Sequence, residues 1–311
     1  MGVTLSSPMT EKNTMFVENA AYRVGVSSMQ GWRVSMEDAH AVHLEMPGDQ
    51  SAAFFAVYDG HGGPSVAEFA GAHLDRFITS QESYKNGNIV AAIERAFMDV
   101  DSKMREDKSI VEEMSGSTAN VVLIKNRFIY CGNAGDSRAI AFVAGETIPL
   151  STDHKPNNPQ EFRRINDAGG WVDANRVNGN LAVSRALGDF PFKAAPHKPQ
   201  DEQQVTAFPD VRKDALTDQW QFIVLACDGI WDVMSSNEVG DFVKTRLSAG
   251  ERPDSICEEL MTHCLAPDVS GSQAGCDNMT VIIVELLKPR KPSNAGESQD
   301  AKRYNMASTD V

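Results

Sequence analysis

The 311-residue sequence lacks any run of eighteen apolar residues, and its N-terminus has no apolar core of the kind found in signal peptides. It also lacks a Cys-x-x-Cys pair or a zinc-finger spacing, and its five cysteines lie mostly inside apolar segments. Cysteines of this kind are typical core residues of proteins kept in a reducing compartment. The sequence therefore predicts a cytoplasmic or nuclear protein.

Basic residues are scarce relative to acidic ones. The chain has 29 Lys and Arg against 43 Asp and Glu, which gives a formal net charge of −14. Binding of nucleic acid through its phosphates needs clustered Lys and Arg, so no nucleic-acid partner is expected. The acidity has two explanations that composition leaves open: it keeps the protein soluble, or some of the carboxylates hold cations.

Composition divides the chain into three parts. Residues 1–21 are polar and irregular, which predicts a flexible N-terminal arm. Over residues 22–287 strands and helices alternate, with two amphipathic helices within 64–104 and a β-meander over 119–150. Residues 288–311 are rich in Pro, Ser, Asn and Lys, which predicts a disordered C-terminal tail.

Three acidic residues stand at the ends of predicted apolar strands. Asp59 follows the strand FFAVY, Asp228 follows the strand that ends at Cys227, and Asp277 precedes the last strand, which begins at Met279. If the last two strands pair antiparallel, the end of one meets the beginning of the other. Both carboxylates then lie on one rim of the sheet.

Other polar residues occupy similar places. Arg33, Glu37 and Asp38 come soon after a predicted early strand. Asp136 lies in a predicted hairpin turn, and His61 stands in a glycine-rich turn. Each also has an ordinary interpretation, as a surface cation, a solvated acidic pair, a turn residue or a packed ring. The coincidence of several acids at strand ends with one Arg and one His favours a functional site.

A cluster of bare carboxylates is unfavourable without cations. Two unit charges about 4 Å apart repel by roughly 4 kcal/mol at an effective dielectric constant of about 20. The candidate ligands are hard oxygens without an accompanying His and Cys set, which selects Mg²⁺ or Mn²⁺ over Zn²⁺ or Cu²⁺. The sequence thus predicts a divalent-cation site.

The ordered motifs of the chain resemble those of a known family, the metal-dependent protein phosphatases (PPM) of type 2C. The resemblance covers residues 22–287, and only the region around 191–204 is not aligned with it. The motifs that carry it are Arg33-x-x-Met36-Glu37-Asp38, Asp59-Gly60-His61-Gly62-Gly63, Gly116-Ser117-Thr118-Ala119, Gly135-Asp136-Ser137-Arg138, Asp153-His154-Lys155-Pro156, LAVSRALGD (181–189), DGIWD (228–232) and Asp277-Asn278.

The resemblance implies an α+β fold in which two antiparallel β-sheets pack as a sandwich with helices on both outer faces. It implies a catalytic domain over residues 22–287, with a flap over about 153–193 that influences substrate preference. It also implies two core metal ions, Mg²⁺ or Mn²⁺. Their direct ligands would be Asp59, Asp228, Asp277 and the carbonyl of Gly60.

Further ligand roles come from the same resemblance. Glu37 and Asp38 would hold metal-bound waters or complete the coordination shell. A third and weaker metal site would be formed by Asp136, Asp228 and Asp232.

The implied activity is hydrolysis of phosphoserine and phosphothreonine in proteins by a metal-bridged water or hydroxide that attacks phosphorus in line. Arg33 would bind two phosphate oxygens, and His61 would protonate the departing oxygen. The enzyme is expected to be a monomer. Two alternatives are a catalytically inactive, phosphoprotein-binding scaffold of the same fold and a divalent-cation buffer.

The N-terminus carries a lipidation pattern. Gly2 after Met1, with Ser6 following, fits the N-myristoylation motif. A single acyl chain gives only marginal membrane binding, and no polybasic run follows to add a second signal. The expectation is weak, reversible membrane contact by a mostly cytoplasmic protein.

Overall fold

The computed structural model describes residues 4–270 and 274–287. The strands are β1 (Thr4–Glu18), β2 (Tyr22–Arg33), β3 (Ala39–His43), β4 (Ala52–Tyr58), β5 (Gly60–His61), β6 (Gly116–Ser117), β7 (Ala119–Lys125), β8 (Phe128–Ala134), β9 (Arg138–Val143), β10 (Glu146–Pro149), β11 (Val172–Asp173), β12 (Arg176–Val177), β13 (Leu187–Gly188), β14 (Asp210–Ala215), β15 (Trp220–Ala226) and β16 (Met279–Leu286). The helices are α1 (Ser65–Ser80), α2 (Glu82–Lys85), α3 (Ile89–Met104), α4 (Lys108–Glu113), α5 (Pro159–Asp167), α6 (Asp228–Trp231), α7 (Ser236–Ser248) and α8 (Pro253–Cys264), with 3₁₀ turns at Phe190–Phe192 and Gln200–Glu202.

Two large antiparallel sheets form the centre of the molecule. The six-stranded sheet has the order β1-β2-β16-β15-β9-β10, and the five-stranded sheet has the order β14-β8-β7-β4-β3. Strand β4 shows how they pack, because its alternate side chains enter two different cores. Phe55 and Val57 lie in the core between the sheets, whereas Phe54 and Tyr58 face the helices. An apolar run without alternation is what a strand covered on both faces requires.

Helices cover both outer faces. The apolar sides of α1 and α3 pack on the five-stranded sheet through residues such as Leu74 and Phe97. Helices α7 and α8 cover the six-stranded sheet through Val243 and Leu260. The predicted α+β sandwich with helices on both outer faces is therefore confirmed.

The prediction of a flexible arm over residues 1–21 is wrong for residues 4–18. These residues form β1, which pairs antiparallel with β2 at the edge of the six-stranded sheet. Backbone hydrogen bonds to a neighbouring strand do not require an apolar pattern, so a polar edge strand looks irregular in sequence. Its inner end is fixed further by Phe16, whose ring lies 4.2 Å from the guanidinium of Arg252.

Several predictions concern residues outside the described ranges. Gly2 and the predicted C-terminal tail (288–311) are among them. Among the described residues no helix is both long and apolar enough to cross a membrane. The five cysteines lie within the described part of the chain and form no disulfide there.

Candidate metal and catalytic site

Antiparallel pairing gathers the predicted acids at one end of the sandwich. In β15 and β16, Ala226 lies opposite Val281, so Asp228 and Asp277 lie near each other at the same rim. Asp59 follows β4 of the other sheet and meets them there. The potential ligand atoms of Asp38, Asp59 and Cys227 all lie within 4.8 Å of one another.

Cys227 is a buried thiol of this group that the sequence indicated only as a core residue. Its Sγ accepts a hydrogen bond from the backbone N–H of Thr280 at 3.2 Å. Burial, and then the surrounding carboxylates, raise the pKa of the thiol well above its usual value. Because a metal ligand must be the thiolate, the donors that remain are oxygens.

The carboxylates of this rim, the acid cluster (Asp38, Asp59, Asp228 and Asp277), disfavour their own ionisation. Burial and then the charge of Asp228 raise the pKa of Asp59 well above its usual range. Burial and then Asp136 do the same for the pKa of Asp228. Burial raises the pKa of Asp38 to about 7. The group thus has the electrostatics of a site made for cations.

The hydrogen bonds of the Asp38 carboxylate indicate whether a cation fits the acid cluster. Asp38 accepts a hydrogen bond from the Thr280 hydroxyl on Oδ2 at 2.7 Å. Its other oxygen, Oδ1, is buried and has no hydrogen-bond partner among the described residues. A buried lone pair without a partner, in an all-oxygen donor set, fits coordination of Mg²⁺ or Mn²⁺.

The loop that carries the Arg-Glu-Asp motif is held by Asn278. Its Nδ2 donates to the carbonyls of Gln30 (2.8 Å) and Ser35 (2.9 Å), and its Oδ1 accepts from the N–H of Glu37 at 3.0 Å. Asn278 stands in one of the motifs, but sequence reasoning assigned it no role. Gly60 approaches the same loop closely, since an added Cβ there would lie 2.2 Å from the Glu37 carbonyl oxygen.

Arg33 lies at the end of β2, on one side of the acid cluster. Its Nη2 donates to Oδ2 of Asp277 at 2.5 Å, and 43% of its side chain is exposed. Burial raises the pKa of Asp277, although this arginine acts in the opposite direction. The guanidinium is therefore oriented by a cluster acid and retains donors that face solvent.

His61 lies on the other side of the acid cluster and pairs with Asp189. Its Nε2 is 2.8 Å from Oδ2 of Asp189, a residue that sequence reasoning missed although it ends the LAVSRALGD motif. Burial opposes protonation of the ring, but the charge of Asp189 and its hydrogen bond prevail and raise the pKa of His61. The ring is thus set up to carry a proton.

Short strands bring this pair together. Strands β13 and β5 flank β6 in a small three-stranded sheet. Gly116 of β6 leaves room for the pair, because a Cβ there would lie 2.4 Å from Nε2 of His61 and 2.2 Å from Oδ2 of Asp189. Any larger residue at this position would separate the two side chains.

A lysine side chain, Lys155, lies beside the residues predicted for a third metal. Asp136 is buried and forms an ion pair with Lys155. Asp232, at the end of α6, is near enough to Asp228 to affect its pKa. Burial raises the pKa of Asp232, while Lys155 acts in the opposite direction. The lysine ammonium therefore already compensates part of the charge at this position.

The chain is similar to known proteins of one family. The family model Protein phosphatase 2C matches residues 22–272. A Caenorhabditis elegans protein named Probable protein phosphatase 2C is 56% identical over 292 residues, which cover 94% of this chain and 82% of that protein. Protein phosphatase 2C homolog 2 of Aspergillus flavus is 46% identical and covers 96% of this chain and 72% of its own length.

The fold has solved counterparts. A serine-threonine phosphatase 2C from Toxoplasma gondii superposes with a TM-score of 0.75 at 21% identity, over 92% of this chain and 99% of that one. A likeness at this identity supports the fold alone, whereas the family model and the relatives in sequence carry the assignment. The chain therefore belongs to the protein phosphatase 2C family.

Proposed function

We propose that this phosphatase hydrolyses phosphoserine and phosphothreonine in proteins and that it depends on two Mg²⁺ or Mn²⁺ ions. The observation that carries the proposal is the partly buried cluster of four carboxylates, with Arg33 beside Asp277 and the His61–Asp189 pair near Asp59. A phosphoryl group placed between them would meet a guanidinium and a proton donor at once.

The cations would be held by Asp59, Asp228, Asp277 and the carbonyl of Gly60, with Glu37 and Asp38 supporting the shell. When bound, they supply Lewis-acid stabilisation and lower the pKa of water. Glu37 is well placed for a supporting role, because its Oε1 accepts from the Ser35 hydroxyl at 2.7 Å. Asp136 and Asp232, beside Lys155, are the candidates for a third and weaker site.

Arg33 would bind the phosphoryl oxygens. A planar guanidinium can donate two parallel hydrogen bonds to a phosphate, which a lysine cannot do. Asp277 orients the group by accepting from Nη2, so the remaining N–H donors are directed to the substrate. The same contact keeps the arginine near the acids when no substrate is bound.

His61 would donate a proton to the departing serine or threonine oxygen. An alkoxide is a strong base and leaves much more readily when it is protonated in the transition state. Nε2 is engaged by Asp189, so the proton offered to the substrate is the one on Nδ1. Asp189 would act as a positioning residue that keeps the ring charged.

A catalytically inactive scaffold of the same fold is the rival hypothesis. Purified protein should be incubated with a phosphothreonine peptide under Mg²⁺, Mn²⁺ or EDTA, and released phosphate measured. We expect turnover that requires the metal. Binding of the peptide without phosphate release under either metal would overturn the proposal and favour the scaffold.

We further propose that Gly2 is myristoylated and that the protein is mainly cytoplasmic with reversible membrane contact. The described part of β1 begins at Thr4, which lies opposite Arg33. Intact mass of the protein from its own cells should show the acyl adduct, and an unmodified Gly2 would contradict the proposal.

A further inference from the structure

Met114 is an exposed apolar residue in a conformation that its side chain disfavours. It follows α4 with φ of +58° in the left-handed region, where helices usually end on glycine. The residue is 64% exposed, the most among the large apolar residues in the described part of the chain. Backbone strain at a rim residue is a reason to look for function there.

The neighbours of Met114 are fixed to the catalytic machinery. Glu113 accepts a hydrogen bond from the N–H of Ser65 at the start of α1, at 3.3 Å. The carbonyl of Ser115 accepts from the N–H of Asp189 at 3.0 Å. Gly116 lies so close to the His61–Asp189 pair that an added Cβ would clash with both side chains. Met114 thus stands on an anchored segment while its own side chain projects into solvent.

The distances place Met114 within reach of a bound peptide. Two residues of extended chain span at most about 7 Å, so the Cα of Met114 lies no farther than this from that of Gly116. Met114 also lies against the loop that carries His61, because an added Cβ on Gly62 would lie 3.5 Å from the Met114 carbonyl oxygen. Val111, the other exposed apolar residue of this segment, is 38% exposed.

We propose that Met114 is a specificity-determining residue that contacts an apolar side chain next to the phosphorylated residue of the substrate. This inference rests on the proposed function. Thioether side chains adapt to partners of different shape, so the subsite would accept leucine, isoleucine, methionine or phenylalanine. The substrates would be phosphoproteins with an apolar residue within two positions of the phosphate. The strained backbone is retained because glycine, which fits it better, has no side chain to make this contact.

The test uses phosphothreonine peptides in which one leucine occupies each of the two preceding and two following positions in turn, with serine elsewhere. The measured quantity is the ratio of kcat/KM for each leucine peptide to that for the all-serine peptide. For wild type we expect a ratio of about ten at one position at least. Met114→Gly should reduce this ratio to near one, and Met114→Leu should retain it.

Ala144→Gly is the matched control for backbone strain. Ala144 also has a left-handed φ, of +54°, and lies in the turn after β9, at the opposite end of the sheet from Asp228. Both glycine variants should melt no lower than wild type, but only Met114→Gly should change the leucine ratio. A lower melting temperature for Met114→Gly would indicate a structural role and overturn the assignment.

The remaining outcomes are distinguishable. A wild type that hydrolyses the peptides without a leucine preference, or a Met114→Gly variant that keeps the preference, overturns the role of Met114 alone. A wild type that hydrolyses nitrophenyl phosphate but no phosphothreonine peptide overturns the proposed function, and the assignment of Met114 falls with it.

Discussion

Partly or fully buried carboxylates occur in two regions of this molecule, and their surroundings act on them in opposite ways. In the acid cluster, burial and mutual repulsion raise the pKa of Asp59 and Asp228. In the flap, burial also opposes ionisation of Glu161, but Arg185 and Arg164 prevail and lower its pKa to about 2. Residues of the same chemical type thus differ because two arginines contact the one carboxylate of Glu161, whereas Arg33 stands beside four carboxylates in the acid cluster.

Glu161 belongs to a continuous ion network, the flap network (His154, Glu161, Arg164, Arg185 and Asp210), which joins the flap to Asp210 of β14. Arg185 donates from Nη2 to Glu161 at 2.9 Å and from Nη1 to Asp210 at 2.8 Å. Asp210 in turn accepts from Nε2 of His154 at 3.1 Å, and this contact lowers the pKa of Asp210. Every charge here has a partner within the chain.

The difference separates structural from functional acids. A buried charge that the fold alone must keep is paired, because an unpaired one is strongly destabilising. A buried cluster without enough partners persists where something from outside completes it. A substitution in one region therefore leaves the other region as a reference.

The largest expected effect comes from removing one charge of the acid cluster. Asp228→Asn should lower kcat/KM on a phosphothreonine peptide by on the order of 10³-fold or more, because Lewis-acid stabilisation is worth several kcal/mol. Wild type should gain about 2.7 kcal/mol of stability when Mg²⁺ is present at 100 times its dissociation constant, and the variant should lose most of this gain. Melting temperatures across a metal titration measure it.

The matched control for this substitution is Asp218→Asn, since the Asp218 side chain is 82% exposed and lies outside both regions. It should behave as wild type does. In EDTA, Asp228→Asn should melt no lower than wild type, because it relieves repulsion. Identical metal responses of Asp228→Asn and wild type would refute the assignment of the acid cluster as the metal site.

The next effect concerns the two groups that flank the acid cluster. His61→Ala should lose about 10² to 10⁴-fold in rate on phosphothreonine peptide but much less on nitrophenyl phosphate, whose leaving group needs no proton. Arg33→Ala should slow both substrates alike, because both present the same phosphoryl oxygens. Initial rates on the two substrates measure the separation.

Asp189→Asn sharpens this prediction. As a positioning variant it should reproduce part of the substrate-dependent loss of His61→Ala, because the ring would no longer be kept charged. If His61 only holds the glycine-rich loop, its variant would instead lose both activities equally and recover with excess Mn²⁺. That pattern would exclude the proton-donor role.

The acid cluster could be predicted from sequence because it depends on simple strand geometry. Asp228 and Asp277 flank two apolar strands, and antiparallel pairing brings such positions together. The partner of His61 could not be predicted in this way. Asp189 is 128 residues away and arrives through strands of two residues each, which have no periodicity to detect.

Local sequence patterns do not predict the flap network or β1, for related reasons. Glu161 lies in the first turn of α5, where an acidic residue is common, and nothing local shows that Arg185 will reach it. Strand β1 is held by backbone pairing with β2, and its exposed pattern includes Pro8, a residue tolerated at sheet edges. Long-range ion pairs and edge strands are specified by the assembled fold rather than by local pattern.

A smaller effect is expected when the flap network is broken. Arg185→Met should lower the free energy of unfolding by about 3 to 5 kcal/mol, because it leaves the buried Glu161 with less compensation. Arg95→Met is the control, since Arg95 forms an exposed ion pair with Asp99 on α3 and should change stability by no more than about 0.5 kcal/mol. Urea unfolding measures both, and equal losses would mean that the network does not carry the stability assigned to it.

The smallest effect is a pH dependence whose sign differs between the two regions. The folded-state pKa of Glu161, about 2, lies below its ordinary value of 4.5, so its contribution is present above pH 4.5 and is lost as pH falls through the folded pKa. The shift corresponds to about 3 kcal/mol. For Asp38 the folded pKa is raised to about 7, so without metal its contribution to stability is lost as pH rises from 4 to 7.

Urea midpoints in EDTA should therefore rise as pH falls from 7 to about 5 and decline below 4.5. Saturating Mg²⁺ should remove the rise between pH 7 and 5, because the cation replaces the proton at the acid cluster. A midpoint that declines steadily from pH 7 downward in EDTA would show that the acid cluster is compensated by the chain itself, as the flap network is.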